Sequence, residues 1–210
     1  MIIAAHEMRG LAIKCSDGVL GTAHDLLCDD QSWRVTFFVV HLGRWLSSRR
    51  VLVAPDDVTV GQPSQDHLAV RLTRDQLCMA PTVDSHQSAS WQQWLEAPVF
   101  AWDACWPHAV VQLSAEDWHV HSVRAVTKYR AVGVDDHVGR MEDFLIDDHT
   151  WEVCYVVVRI GPPRSARRVL VEPRWIDGID EQEHAVRIGL RRAEVEQCRD
   201  CISKDFVAIL

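Results

Sequence analysis

DGVLGTAHDLLCDDQSWRVTFFVVHLGRWLSSRRVLVAP, Asp17 to Pro55, lies without a gap over DDHVGRMEDFLIDDHTWEVCYVVVRIGPPRSARRVLVEP, Asp135 to Pro173, at an offset of 118 residues. Of the 39 aligned positions 18 are identical, among them Gly21/Gly139, Asp25/Asp143, Asp29/Asp147, Asp30/Asp148 and Trp33/Trp151. Past the prolines the same offset still sets apolar on apolar: Val58 on Ile176, Leu68 on Val186, Leu72 on Leu190 and Leu77 on Val195. A register held that long marks an internal duplication, and the fold must be read as two copies of one unit.

Each copy reads as short strands. Val35–Leu42 is a β-branched and aromatic stretch suited to a largely buried strand. Thr22–Cys28 is its hairpin partner, joined to it through Asp29-Asp30-Gln31-Ser32, whose side chains can accept from turn amides. Arg49–Ala54 forms a further strand, ended by Pro55, which has no N–H for a ladder. Leu68–Leu72 alternates, and Thr73 caps a helical turn through Leu77. Strands this short and closely spaced predict a mainly β protein of two tandem small barrels with short helices, each copy closing its own.

The block D-G-x-x-G-x-x-x-D-x-x-x-D-D-x-x-W, followed by an apolar strand, Gly and R-V-L-V-x-P, resembles the PRC-barrel family, named for the cytoplasmic domain of the photosynthetic reaction-centre H subunit. More closely, it resembles tandem bacterial members, which carry a comparable W-L before the R-V-L strand (Trp45-Leu46) and a comparable P-x-W-I after it (Pro173–Ile176). The resemblance implies PRC-type barrels over residues 8–80 and 118–210, the second with a C-terminal helix, joined by a Trp-rich linker over 81–117. It further implies a binding or regulatory scaffold that is not an enzyme, with protein partners including a membrane electron-transfer complex. A ribosome-associated assembly role is a second implication, through a maturation-factor relative. Two departures stand out: Asp136 replaces Gly18, and Pro163-Arg164 replace Trp45-Leu46, so the copies present different surfaces there.

Charge narrows the partners. The chain is at −8 overall, with no basic arm, so phosphate backbones and anionic membranes fit poorly and no direct nucleic-acid contact is expected. The apolar start, Met1–Ala5, stops at His6-Glu7, and the longest apolar run is far below the ~20 residues of a membrane helix. We therefore expect no transmembrane segment. Seven scattered cysteines are an odd number and point to reduced thiols in the cytoplasm.

Chemistry-bearing motifs are few. The clusters Asp25/Asp29/Asp30 and Asp143/Asp147/Asp148 lack the spacing of a calcium loop, and turn capping explains them better. Cys198 and Cys201 form a lone CxxC; on a C-terminal helix both sulfurs would share an apolar face, and a redox or metal-responsive role is the rival reading. His119 and His121 sit two apart without a third ligand in sight. No nucleophile elbow, HExxH, P-loop or dinucleotide motif occurs, so we expect no catalytic residue, cofactor or bound metal. Trp91, Trp94, Trp102 and Trp106 crowd the linker, where packing between the barrels competes with a homodimer or partner surface.

Overall fold

The structure is a computed structural model that describes residues 1–43, 49–60, 66–83, 119–162 and 164–201. It is mainly β, in two sheets. The strands are β1 (Ile2–Ala4), β2 (Ala12–Cys15), β3 (Gly18–Asp29), β4 (Val35–Leu42), β5 (Arg49–Val53), β6 (Val58–Val60), β7 (His67–Val70), β8 (Thr82–Val83), β9 (Val120–Ser122), β10 (Arg130–Val132), β11 (His137–Asp147), β12 (Val153–Ile160), β13 (Arg167–Val171), β14 (Ile176–Asp180) and β15 (Ala185–Ile188). One sheet runs β6-β7-β2-β3-β4-β5-β8; the other runs β13-β12-β11-β10-β15-β14. Apart from β8, the second order is the first under the 118-residue offset, down to the parallel pairs β2–β7 and β10–β15. Among the described residues no pairing joins the two ends of either path.

Local chemistry explains the elements. Proline opens the 3-10 turns Pro55–Asp57 and Pro173–Trp175, ending β5 and β13 where a missing N–H does no harm. Thr73 caps the helical turn Arg74–Met79 in a capping box with Gln76, as expected, and its Leu77 is fully buried. Val195 does the same for the turn Arg192–Val195. Phe38, Val40, Val51 and Leu68 are fully buried in the first copy, and Phe144, Val156, Val158 and Ile188 in the second.

The expectation of two separate copies, each completed by its own strands, is corrected. Strand β1, which precedes the first copy, pairs antiparallel with β11 of the second: Ile2 with Asp147, Ile3 with Ile146, Ala4 with Leu145. Reciprocally, β9, at the start of the second copy's span, pairs with β3 of the first. The reason lies in strand length. β11 has eleven residues, and β10 covers only His137 to Arg140 on that edge, leaving the amides near Leu145 and Asp147 in need of a partner strand. The compact units are consequently discontinuous: one comprises Met1–Glu7, Asp30–Val35 and His121–Leu210, the other Met8–Asp29 and Thr36–Val120. Ala4 packs with Leu145, Val157 and Leu170 in the former, and Val120 packs with Leu27, Phe37, Val39 and Leu52 in the latter.

Candidate functional site

The duplicated motif residues are spent on backbone. Asp25 and Asp143 are buried in mid-strand, and each accepts from the next amide, Leu26 N–H at 2.8 Å and Phe144 N–H at 2.9 Å. Asp143 also takes the His6 amide at 3.2 Å and closes on the His6 ring. Gly21 has φ +83, and a Cβ there would stand 2.6 Å from the His41 carbonyl; at Gly139 it would stand 2.1 Å from the Arg159 carbonyl. Both glycines let the central hairpin strands approach closer than any side chain permits.

The acidic turns behave as caps. Asp147 Oδ1 accepts from the His149 and Thr150 amides, each at 2.9 Å, and these bonds, Thr150 foremost, hold its carboxyl below the usual carboxylate range. Trp33 and Trp151 follow at φ 53 and 59, a left-handed backbone that bulky residues adopt only under constraint. The constraint is visible. Val35 N–H donates to the Trp151 carbonyl at 2.8 Å, and Val153 N–H donates to the Trp33 carbonyl at 2.7 Å, with Arg34 bridged to Glu152 between them. Each bond is the image of the other under the repeat offset. The Trp33 ring stacks on Phe144 at a centroid distance of 6.4 Å. The D-D-x-x-W motif is therefore the seam where the two copies' turns pair.

Beside that seam lies a cluster that motif reading passed over. His121 on β9 stands 3.3 Å from Asp30 through Nε2 and 2.9 Å from Glu181 through Nδ1, with its side chain 12% exposed. Burial opposes charging the ring, yet the Asp30 and Glu181 carboxylates beside it outweigh that and raise the imidazolium to about 9. His121 in turn draws the Glu181 carboxyl downward. The signal available in sequence was a break in the repeat: His121 occupies the place of Ile3. Among the described residues no group of three or more His, Cys, Asp or Glu is arranged to hold a metal ion.

The reading of Cys198 and Cys201 on one helix face is corrected. The helical turn ends at Val195; Asp200 forms a bridge with Val169, and Cys201 N–H donates to the Arg168 carbonyl at 2.8 Å. This is the counterpart of β8, which pairs with Arg50 and Val51. Cys201 packs on the Leu145–Val157–Leu170 cluster, whereas the Cys198 sulfur faces the Glu194 carbonyl. Burial first, then Glu172, pushes the Cys198 thiol up, the opposite of what a reactive thiolate needs. Trp45, Trp91, Trp94, Trp102 and Trp106 lie outside the described residues. Among the described residues no helix is long and apolar enough to cross a membrane. Compared with family models and with curated proteins, the chain finds no match.

Proposed function

We propose that the chain is a tandem PRC-barrel-type scaffold that binds other proteins and carries no chemistry of its own. One observation carries the reading: what the duplication kept is shape. Asp25/Asp143, Gly21/Gly139 and Trp33/Trp151 all serve backbone amides, close strand approach or the paired turns. Residues retained for a reaction would instead converge on an accessible cleft with their polar atoms unspent. Barrel closure belongs to the same reading. The register slips along β11, at Met141/Asp143 and Leu145/Ile146, are bulges of the kind that bend a strand around a small barrel.

In this reading the scaffold works as a dimer in the cytoplasm, against the water-facing part of a membrane electron-transfer complex, as the resemblance to the reaction-centre H subunit implies. Affinity capture of the full chain from its own cells, with cross-linking and mass spectrometry, tests this. Reproducible capture of components of such a complex is the expected result. Capture confined to ribosomal assembly factors would replace the partner, and stoichiometric zinc lost on Cys198→Ser/Cys201→Ser would replace the scaffold by a metal-responsive protein.

A further inference from the structure

Across the unit that contains β10 to β13, directly opposed strand positions carry arginine four times running. Arg130 faces Arg140, Arg140 faces Arg159, and Arg159 faces Arg168. Opposed residues share one face of a sheet. All four are exposed while their chain neighbours Ala131, Gly139, Val158 and Val169 are buried, so the row faces solvent. At about 4.8 Å per strand the row spans about 14 Å.

Such a row opposes the stability of the sheet, because like charges directly across strands repel. It also stands against the charge of a chain at −8. The flanking arginines are answered from within: Arg168 by Glu142 at 2.8 Å and Arg130 by Glu183 at 3.7 Å. Among the described residues no acidic side chain pairs with Arg140 or Arg159. The other copy has no such row; Ala12, Thr22, His41 and Arg50 hold the equivalent places. The fold therefore does not require it.

We propose that Arg140 and Arg159 receive carboxylates of an acidic segment of a protein partner, and this rests on reading the chain as an interaction scaffold. Guanidinium forks match carboxylates bidentately, and two of them on adjacent strands suit a short anionic segment. A continuous phosphate backbone fits less well, because Glu142 and Glu183 stand within the same row and the whole chain is acidic.

Fluorescence polarisation of a short labelled polyglutamate peptide against the full chain at low salt tests the assignment. Saturable binding is expected, weakened at least about tenfold by Arg140→Thr/Arg159→His, which installs the residues of the other copy. Arg50→Ala, in the equivalent row, should leave it unchanged. A melting temperature of the double variant at or above that of the native chain separates lost binding from lost fold. Absence of saturable binding by the native chain, or equal binding by the folded double variant, overturns the proposal. Tighter binding of an oligothymidylate of matched charge overturns the protein-segment assignment. A partner captured from cells equally by both forms overturns the arginine row and leaves the scaffold reading standing.

Discussion

Strands β1 and β9 occupy the same place in the two copies and are anchored by different physics. At β1, Ile3 sits opposite Ile146 in a plain antiparallel ladder, and the Asp148 amide donates to the Met1 carbonyl at 2.9 Å. At β9 the equivalent position is His121, held between Asp30 and Glu181. A backbone solution common to both copies thus tolerates an apolar anchor at one entry and an ionised one at the other. Ile3 itself has nothing to titrate, although the Met1 ammonium at the start of β1 pairs with Asp148, whereas the His121 anchor holds only while the ring is charged and both carboxylates are in place.

The steepest way to break the equivalence of the copies lies under their shared backbone. Gly139→Ala should cost about 3 kcal/mol or more, because the new Cβ would meet backbone, which cannot yield as a side-chain end does. Gly21→Ala should cost a similar amount, its left-handed φ adding about 1 kcal/mol to a slightly wider contact. Urea unfolding of both variants checks this. A cost below about 1 kcal/mol at Gly139 would mean that β11 and β12 are not held at the separation described.

Next in size is the ionised anchor. His121→Gln should cost about 2 kcal/mol near pH 6, by leaving two carboxylates beside each other without their cation. The rise from the ordinary histidine value to about 9 corresponds to about 3 kcal/mol, the same order. Ile3→Gln tests the apolar counterpart and should show no dependence of its cost on pH. Equal pH dependence in the two variants would erase the distinction between the anchors.

A pH series sharpens the same contrast without mutation. The folded-state value of His121 is raised, so its contribution is fully present below the unfolded value near 6.5 and is lost as pH rises through about 9. Glu181 is lowered, so the pair weakens again as pH falls below the ordinary carboxylate value of 4.5 and through its folded value. The melting temperature should therefore fall by several degrees between pH 6.5 and 9.5. In His121→Gln that decline should shrink to the part owed to the Met1 ammonium, whose pairing with Asp148 also raises it; a native-like decline in the variant would assign the effect elsewhere.

The smallest expected effect is at a cap. Asp147→Ala removes the acceptor of the His149 and Thr150 amides and should cost about 1 kcal/mol, less than any of the changes above. Its contribution is present above pH 4 and is lost as pH falls through a folded value below the ordinary 3.8. Urea midpoints at pH 7 and pH 3 separate the two conditions, and a cost that is undiminished at the lower pH would deny the carboxylate its role.

The sequence by itself determined the duplication, the central hairpin and the strands Arg49–Val53 and His67–Val70 of the first copy, and the turns that end them. These rest on short-range chemistry: Pro55 and Pro173 lack a ladder donor, Thr73 reaches an amide three residues on, and Val35–Leu42 has the side chains of a buried strand. Asp29 and Asp147 were legible as turn residues for the same reason. Three matters were decided only in the tertiary structure. The crosswise placement of β1 and β9 depends on which long strand has an uncovered edge, and three-residue strands such as Ile2–Ala4 carry no periodicity from which a partner could be read. The His121 cluster joins residues 30, 121 and 181, and its three members carry no common motif. The arginine row is invisible along the chain because Arg130, Arg140, Arg159 and Arg168 become neighbours only when four strands fall into register. Local pattern records what one strand buries; hydrogen bonding between strands sets which side chains stand together.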